Sequence, residues 1–182
     1  MKVLGIVGSL RRGSYNKLML RAAAELKPTE MEIEEFDLAP IPPYNDDVKA
    51  EGFPAAVRQL GDRIRAADAL LICTPEYNYS VPGVLKNAID WVSRLPDQPF
   101  NEKPAAIMGA STGRLGTARA QYHLRQTAVF VNLHILNRPE VMIAGAASAF
   151  DASGRLGDEG ARKLIAELLV NLSAWTRRLQ GR

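Results

Sequence analysis

Short apolar runs rich in β-forming residues alternate along this chain with longer stretches in which apolar residues recur at helical spacing. That alternation constrains the fold more than any other feature. The runs fall at residues 3–7, 31–36, 69–73, 105–108 and within about 133–143. Between them, Leu18, Met19, Ala22, Ala23 and Leu26 share one helical face, and Val57, Leu60, Ile64 and Ala67 share another. Val84, Leu85, Ala88, Ile89, Val92 and Leu95 repeat the spacing behind Pro82, a residue suited to a first helical turn. Further helices are predicted over residues 117–129 and through Leu164, Ile165, Leu168, Leu169, Leu172, Trp175 and Leu179. Continuously apolar strands, each followed by a helix, indicate parallel strands covered on both faces. Right-handed crossovers then give an α/β fold, a three-layer α/β/α sandwich around a five-stranded parallel sheet. With 182 residues and no internal repeat, low-complexity tract or linker, the chain is expected to be a single domain over residues 1–182.

Composition removes several chemistries. The single cysteine, Cys73, excludes an internal disulfide and a four-thiol zinc site. With two histidines, His123 and His134, a His/Cys metal centre is not expected either. No apolar run approaches the roughly 18–20 residues of a membrane span, and the first residues do not resemble a signal peptide. A cytoplasmic protein without membrane contact is therefore expected. Lys plus Arg total 23 against 20 Asp plus Glu, a net charge of +3. The basic residues are dispersed, where a nucleic-acid reader gathers them on one face. A small anionic ligand is the expected partner, and nucleic acid is not.

In an open parallel sheet, ligands bind beyond the carboxyl ends of the strands, where strand order reverses. Attention therefore falls on three loops. The first runs Gly8-Ser9-Leu10-Arg11-Arg12-Gly13-Ser14-Tyr15-Asn16. Its hydroxyls, guanidiniums, glycines and adjoining helix N-terminus have the composition of a phosphate cradle. A simple helix cap by Ser14 or Ser9 is the competing reading. The loop matches neither the Gly-x-Gly-x-x-Gly dinucleotide pattern nor the nucleotide-triphosphatase P-loop. The second, Thr74-Pro75-Glu76-Tyr77-Asn78-Tyr79-Ser80-Val81-Pro82-Gly83, combines a stiffened backbone with aromatic faces. Planar heteroaromatic ligands want that mixture. In the third, residues 109–117, small residues let the backbone approach a flat ring.

With those loops in place, the sequence resembles the NADPH-dependent FMN reductase family, of flavodoxin-like fold, and especially its bacterial chromate and quinone reductases. The resemblance rests on Gly8-Ser9-Leu10-Arg11 with Ser14 and Asn16, and on Thr74 to Gly83 running into Leu85-Lys86-Asn87-Ala88-Ile89-Asp90-Trp91. It continues through Gln121-Tyr122-His123-Leu124-Arg125-Gln126. It implies that Ser9, Arg11, Gly13, Ser14, Tyr15 and Asn16 hold the FMN phosphate. Pro75, Glu76, Tyr77, Asn78 and Tyr79 would line the isoalloxazine, with Ser111 and Gly113 closing the site. It further implies NADPH or NADH as co-substrate and ping-pong hydride transfer. Quinones, flavins, azo compounds or chromate would be the small-molecule acceptors. A homodimer or homotetramer is expected; by that analogy Trp91, Tyr122 and Arg125 lie near subunit contacts, and the equal alternative is Trp91 in the core and Arg125 as an exposed helix charge. No side chain is nominated as a catalytic acid or base, since the flavin carries the redox chemistry.

Three alternatives have specific tests. A low-molecular-weight phosphatase would need an arginine six positions after Cys73, where this chain has Tyr79. A flavodoxin-like electron carrier, without its own NAD(P)H oxidation, is usually strongly acidic, unlike a chain of net charge +3. A regulatory protein that has lost its cofactor would purify without flavin and fail to take it up.

Overall fold

β1 (Lys2–Val7), β2 (Glu32–Phe36), β3 (Ala69–Cys73) and β4 (Pro104–Ala110) take up the first four apolar runs in the computed structural model, which describes residues 1–181. The strand order is β2-β1-β3-β4, and the fifth position beside β4 is shared by β5 (His134–Ile135) and β6 (Val141–Ile143). Every pairing is parallel. The fold is flavodoxin-like, as expected, but the single last strand within residues 133–143 is corrected to two short ones. Ala105 pairs with Ile135, and Met108, Gly109 and Ala110 pair with Val141, Met142 and Ile143. The connection between them contains Pro139, which has no amide to give a ladder, so the interruption falls at the sheet's edge.

Among the described residues, seven helices accompany the strands: α1 (Tyr15–Leu26), α2 (Asp46–Glu51), α3 (Ala55–Ala66), α4 (Gly83–Val92), α5 (Ala118–Phe130), α6 (Ala146–Ala149) and α7 (Glu159–Leu179). Two of them, α2 and α6, were not expected. Periodicity is blind to α2 because it buries no residue; it forms where Asn45 caps the amide of Asp47 and two aspartates occupy the first turn.

The strands alternate cleanly between two cores. Val3, Val7, Leu71, Cys73 and Met108 point toward α1 and α7, joining Met19, Ala23, Ile165, Leu168 and Leu172. Leu4, Ile6, Leu70, Ile72 and Ile107 point the other way, joining Val57, Leu60, Leu85, Ile89 and Leu124 of α3, α4 and α5. This is the two-period of a strand buried on both faces. β2 departs from it, because as an edge strand it leaves Glu32, Glu34 and Glu35 exposed. Charges there discourage pairing with another sheet.

Register then sets the position of the site. Val7 lies beside Cys73, and Cys73 beside Met108, so the three central strands end level. The amides of Gly8 and Thr74 extend the ladder by bonding the carbonyls of Cys73 (2.9 Å) and Met108 (3.0 Å). The chain steps outward from β1 to β2 and returns to β3 on the other side. The crevice at that reversal is bounded by the loops after β1, β3 and β4.

Candidate functional site

A cleft of about 390 Å³ opens at this end of the sheet. Its lining brings together Ser9, Arg11, Ser14, Tyr15 and Asn16 with Pro75, Glu76 and Tyr77, and with Ala110, Ser111 and Thr112. Nine of the predicted residues therefore meet across three loops that are distant in sequence. Gly13, Asn78, Tyr79 and Gly113 lie outside this lining.

In the first loop, Ser14 is the N-cap of α1, its Oγ accepting from the amide of Asn16 at 3.2 Å. The capping reading holds for Ser14, whose hydroxyl hydrogen remains available to a ligand. Ser9 Oγ accepts from the Arg11 amide at 3.4 Å and bonds the Tyr77 hydroxyl at 3.3 Å, tying the first loop to the second. The amides of Ser9, Leu10, Arg12, Gly13 and Tyr15 donate to no protein acceptor among the described residues. Tyr15 opens a twelve-residue helix and the other four precede it in the loop, an arrangement whose free amides and helix dipole can favour an anion. The Arg11 guanidinium, 5.3 Å above the Tyr15 ring, supplies a charge at its rim. Tyr15 is in turn stacked on Phe150, centroids 5.7 Å apart.

Asn16 behaves differently from its neighbours. Its Nδ2 donates to the carbonyl of Ala110 at 2.9 Å, and its Oδ1 accepts from the Ala110 amide at 3.0 Å. The buried carboxamide thus clamps the first loop to the end of β4, and it contributes more to the shape of the cleft than to ligand contact.

The second loop closes in a two-residue hairpin. The Tyr77 amide bonds the Ser80 carbonyl (3.1 Å), the Ser80 amide bonds the Tyr77 carbonyl (3.0 Å), and Asn78 and Tyr79 have φ of 50° and 67°. Positive φ at both central positions is the I′ turn that Asn-Gly favours. With Tyr in the place of Gly, the turn holds strain of about 1–3 kcal/mol. Contacts to α5 hold it. The Glu76 carboxylate accepts from the backbone amides of Arg119 (2.9 Å) and Ala120 (3.2 Å) and from Arg119 Nε (2.7 Å). The Arg119 guanidinium lies 3.4 Å above the Tyr79 ring, and Ser80 Oγ bonds His123 Nδ1 at 3.0 Å. Glu76 is thus a loop-fixing residue. Sequence reasoning missed Arg119 altogether, since its partners lie 40 or more positions away.

The third loop is stapled internally, Ser111 Oγ accepting from the Gly113 amide at 3.1 Å. Close approach is required beneath it. A Cβ on Gly109 would sit 2.2 Å from the Thr74 carbonyl oxygen and 2.3 Å from Thr117 Oγ1.

Two side chains set apart by the sequence are now placed. Cys73 is fully buried, and burial pushes its thiol far above the ordinary cysteine range, so it is no nucleophile. Trp91, for which the sequence leaves a subunit contact and a core position both open, is a core residue: it is 0% exposed and its indole N–H donates to the Pro42 carbonyl at 2.8 Å. The aromatic and apolar residues on the outer surface of α5 are Tyr122, Val129 and Phe130, all exposed. Among the described residues, no group of three or more His, Cys, Asp or Glu side chains is arranged to hold a metal. No helix among them is long and apolar enough to cross a membrane.

Known proteins agree with this architecture. Over 181 residues the chain is 64% identical to an NAD(P)H-dependent FMN reductase of Pseudomonas aeruginosa, covering 100% of this chain and 98% of that protein. It is 51% identical to a quinone reductase of Escherichia coli over 144 residues, covering 78% and 77% of the two. Among solved structures, a flavoenzyme NAD(P)H:(acceptor) oxidoreductase of Paracoccus denitrificans superposes with a TM-score of 0.88 at 36% identity, covering 97% of each chain. The family model for NADPH-dependent FMN reductase matches residues 1–148, and with it the three loops that wall the cleft: the chain belongs to the NADPH-dependent FMN reductase family.

Proposed function

We propose that this cleft holds FMN, with its phosphate at the amides of the first loop and its ring against residues 75–77 and 111–112. The chain is an NAD(P)H-dependent flavin and quinone reductase. One observation carries the site assignment: the unclaimed amides of Ser9 and Tyr15, with Arg11 beside them, belong to residues that line the same cleft as Pro75, Glu76 and Tyr77 after β3. A dianionic phosphate on a planar ring system matches both ends of that cleft. When bound, FMN supplies the two-electron redox chemistry, taking hydride equivalents from NAD(P)H and releasing them to an acceptor.

The protein's own contribution is binding and placement. The Ser9 and Tyr15 amides, with the Ser14 hydroxyl, donate to phosphate oxygens, and Arg11 adds a charge-assisted bond. Tyr77, anchored through its hydroxyl to Ser9, keeps the ring end and the phosphate end at a fixed separation. The backbone of Pro75 and Glu76, held from behind by α5, offers its polar groups to the ring's edge. Gly13, Asn78, Tyr79 and Gly113 support these contacts from outside the lining. No acid or base is required of a side chain. The open side of the cleft serves donor and acceptor in turn, which suits quinones first and, by the same tolerance, free flavins, azo compounds and chromate. Exposed Tyr122, Val129 and Phe130 on α5 favour a homodimer or homotetramer.

The test is a visible spectrum of the purified protein followed by turnover of NADPH and of NADH against a quinone, chromate and free FMN. A flavin band with NAD(P)H-driven quinone reduction is expected. Bound flavin with no NAD(P)H oxidation would leave an electron carrier, and no flavin uptake after reconstitution would remove the assignment. Light scattering of the eluted protein reads the oligomer.

A further inference from the structure

The strained hairpin after β3 and the start of α5 are joined by a pair that the cleft alone does not require. The Glu76 side chain is 6% exposed, and its two oxygens share three backbone or guanidinium donors from Arg119 and Ala120. Arg119 reaches over the turn to lie flat on Tyr79, the residue held at φ 67°. One face of the peptide segment at residues 75–77 therefore lines the cleft while the Glu76 side chain is pinned to a helix behind it. A backbone held in a sparsely populated conformation persists only where its surroundings over-determine it.

We propose that Glu76 and Arg119 are positioning residues for the flavin ring: together they lock the residue 75–80 segment onto α5, so that its backbone meets the isoalloxazine already in shape. The proposal rests on the assignment of FMN to this cleft. The pair acts on the ring end and leaves the phosphate end to the first loop, 60 or more positions earlier in the chain, and that division gives it a signature. Loss of the pair weakens ring recognition for any flavin, phosphorylated or not. Loss of Arg11 weakens only phosphorylated flavin.

The experiment titrates apoprotein into FMN and into riboflavin, following flavin fluorescence and induced circular dichroism in the visible bands. The variants are Glu76→Gln, Arg119→Ala, Arg119→Lys and Arg11→Ala. Arg119→Ala and Glu76→Gln are expected to weaken both flavins by the same factor, about tenfold, as pre-organisation is lost, and to change the induced dichroism. Arg119→Lys, which keeps the charge and one donor, is expected to recover part of the affinity. Arg11→Ala is expected to weaken FMN and leave riboflavin unchanged. Affinities within about twofold of the parent for both flavins in Glu76→Gln and Arg119→Ala, with unaltered dichroism, would reduce the pair to a helix cap and overturn the proposal. If Glu76→Gln does not fold, the Arg119→Ala and Arg119→Lys comparison decides alone. Failure of the cleft assignment looks different: Arg11→Ala would then leave FMN affinity untouched as well.

Discussion

Removing the carboxamide of Asn16 isolates a single tie between the first loop and the sheet. Asn16 is 2% exposed, as is Ala110, the residue it serves. In Asn16→Ala the Ala110 amide and carbonyl lose their side-chain partners at 3.0 and 2.9 Å, in a space that water does not readily enter. A buried backbone group left unsatisfied costs about 1–3 kcal/mol, so the pair amounts to about 2–6 kcal/mol. Against a total stability of roughly 5–15 kcal/mol that is a large fraction. At roughly 2–4 °C per kcal/mol for a chain of this size, the melting temperature is expected to fall by about 4–24 °C. Urea denaturation of the apoprotein, followed by far-ultraviolet circular dichroism, measures it without flavin linkage. Asn16→Asp sharpens the test. An ionised carboxyl at this position accepts from the Ala110 amide but opposes the Ala110 carbonyl, whereas the protonated form can donate to it. The introduced group therefore has a raised folded-state pKa, the folded protein binds the extra proton, and the variant regains stability as pH falls through that pKa. A stability change under about 0.5 kcal/mol in Asn16→Ala, or an Asn16→Asp deficit that does not shrink on acidification, would refute the clamp.

The remaining predictions concern packing and access. Gly109→Ala is expected to cost about 3 kcal/mol or more, because its Cβ would meet the fixed Thr74 carbonyl at 2.2 Å and so distort the strand ends that support the cleft. In Gly61→Ala the Cβ meets the end of the Leu95 side chain at 2.4 Å, with Arg65 in ordinary contact, and about 1 kcal/mol of helix propensity offsets the repacking, so it should cost less than Gly109→Ala. Thermal denaturation of the two variants ranks them, and the reverse order would contradict the steric account. Cys73, buried and held protonated, is expected to resist thiol reagents at pH 8 until the protein unfolds. Labelling in the native state as fast as in urea would place it at the surface. Arg11→Ala should raise the FMN dissociation constant about tenfold by removing a charge-assisted phosphate bond, with the melting temperature of the apoprotein little changed.

Much of this architecture is legible in the sequence because the relevant forces are local and periodic. The run at Ala69–Cys73 is a strand residue for residue, since both its faces are buried and each position favours the same outcome. The three loops are legible for a related reason: Gly, Pro, Ser and Asn punctuate the chain where strand gives way to helix. What escapes is whatever a residue owes to a partner far along the chain. Asn16 has the composition of a phosphate ligand, yet its amide is committed to Ala110, 94 positions away. Arg119 has the composition of a helix-surface charge, yet it is fixed by Glu76, 43 positions away. The second pairing has a structural reason. α5 begins behind Thr117, whose side chain makes no capping bond, and its first turn contains no acidic residue. A helix N-terminus leaves amides without intrahelical partners, and a buried start must find acceptors elsewhere. Such a helix therefore points to an acceptor supplied from a distance. In a parallel sheet the loops after neighbouring strands end level with one another, and the β3 loop, beside the β4 loop that leads into α5, contains a single carboxylate, Glu76. Thr117 has the composition of an N-cap, so the sequence alone hides the vacancy, and only the folded chain shows Glu76 accepting from the α5 amides in its place.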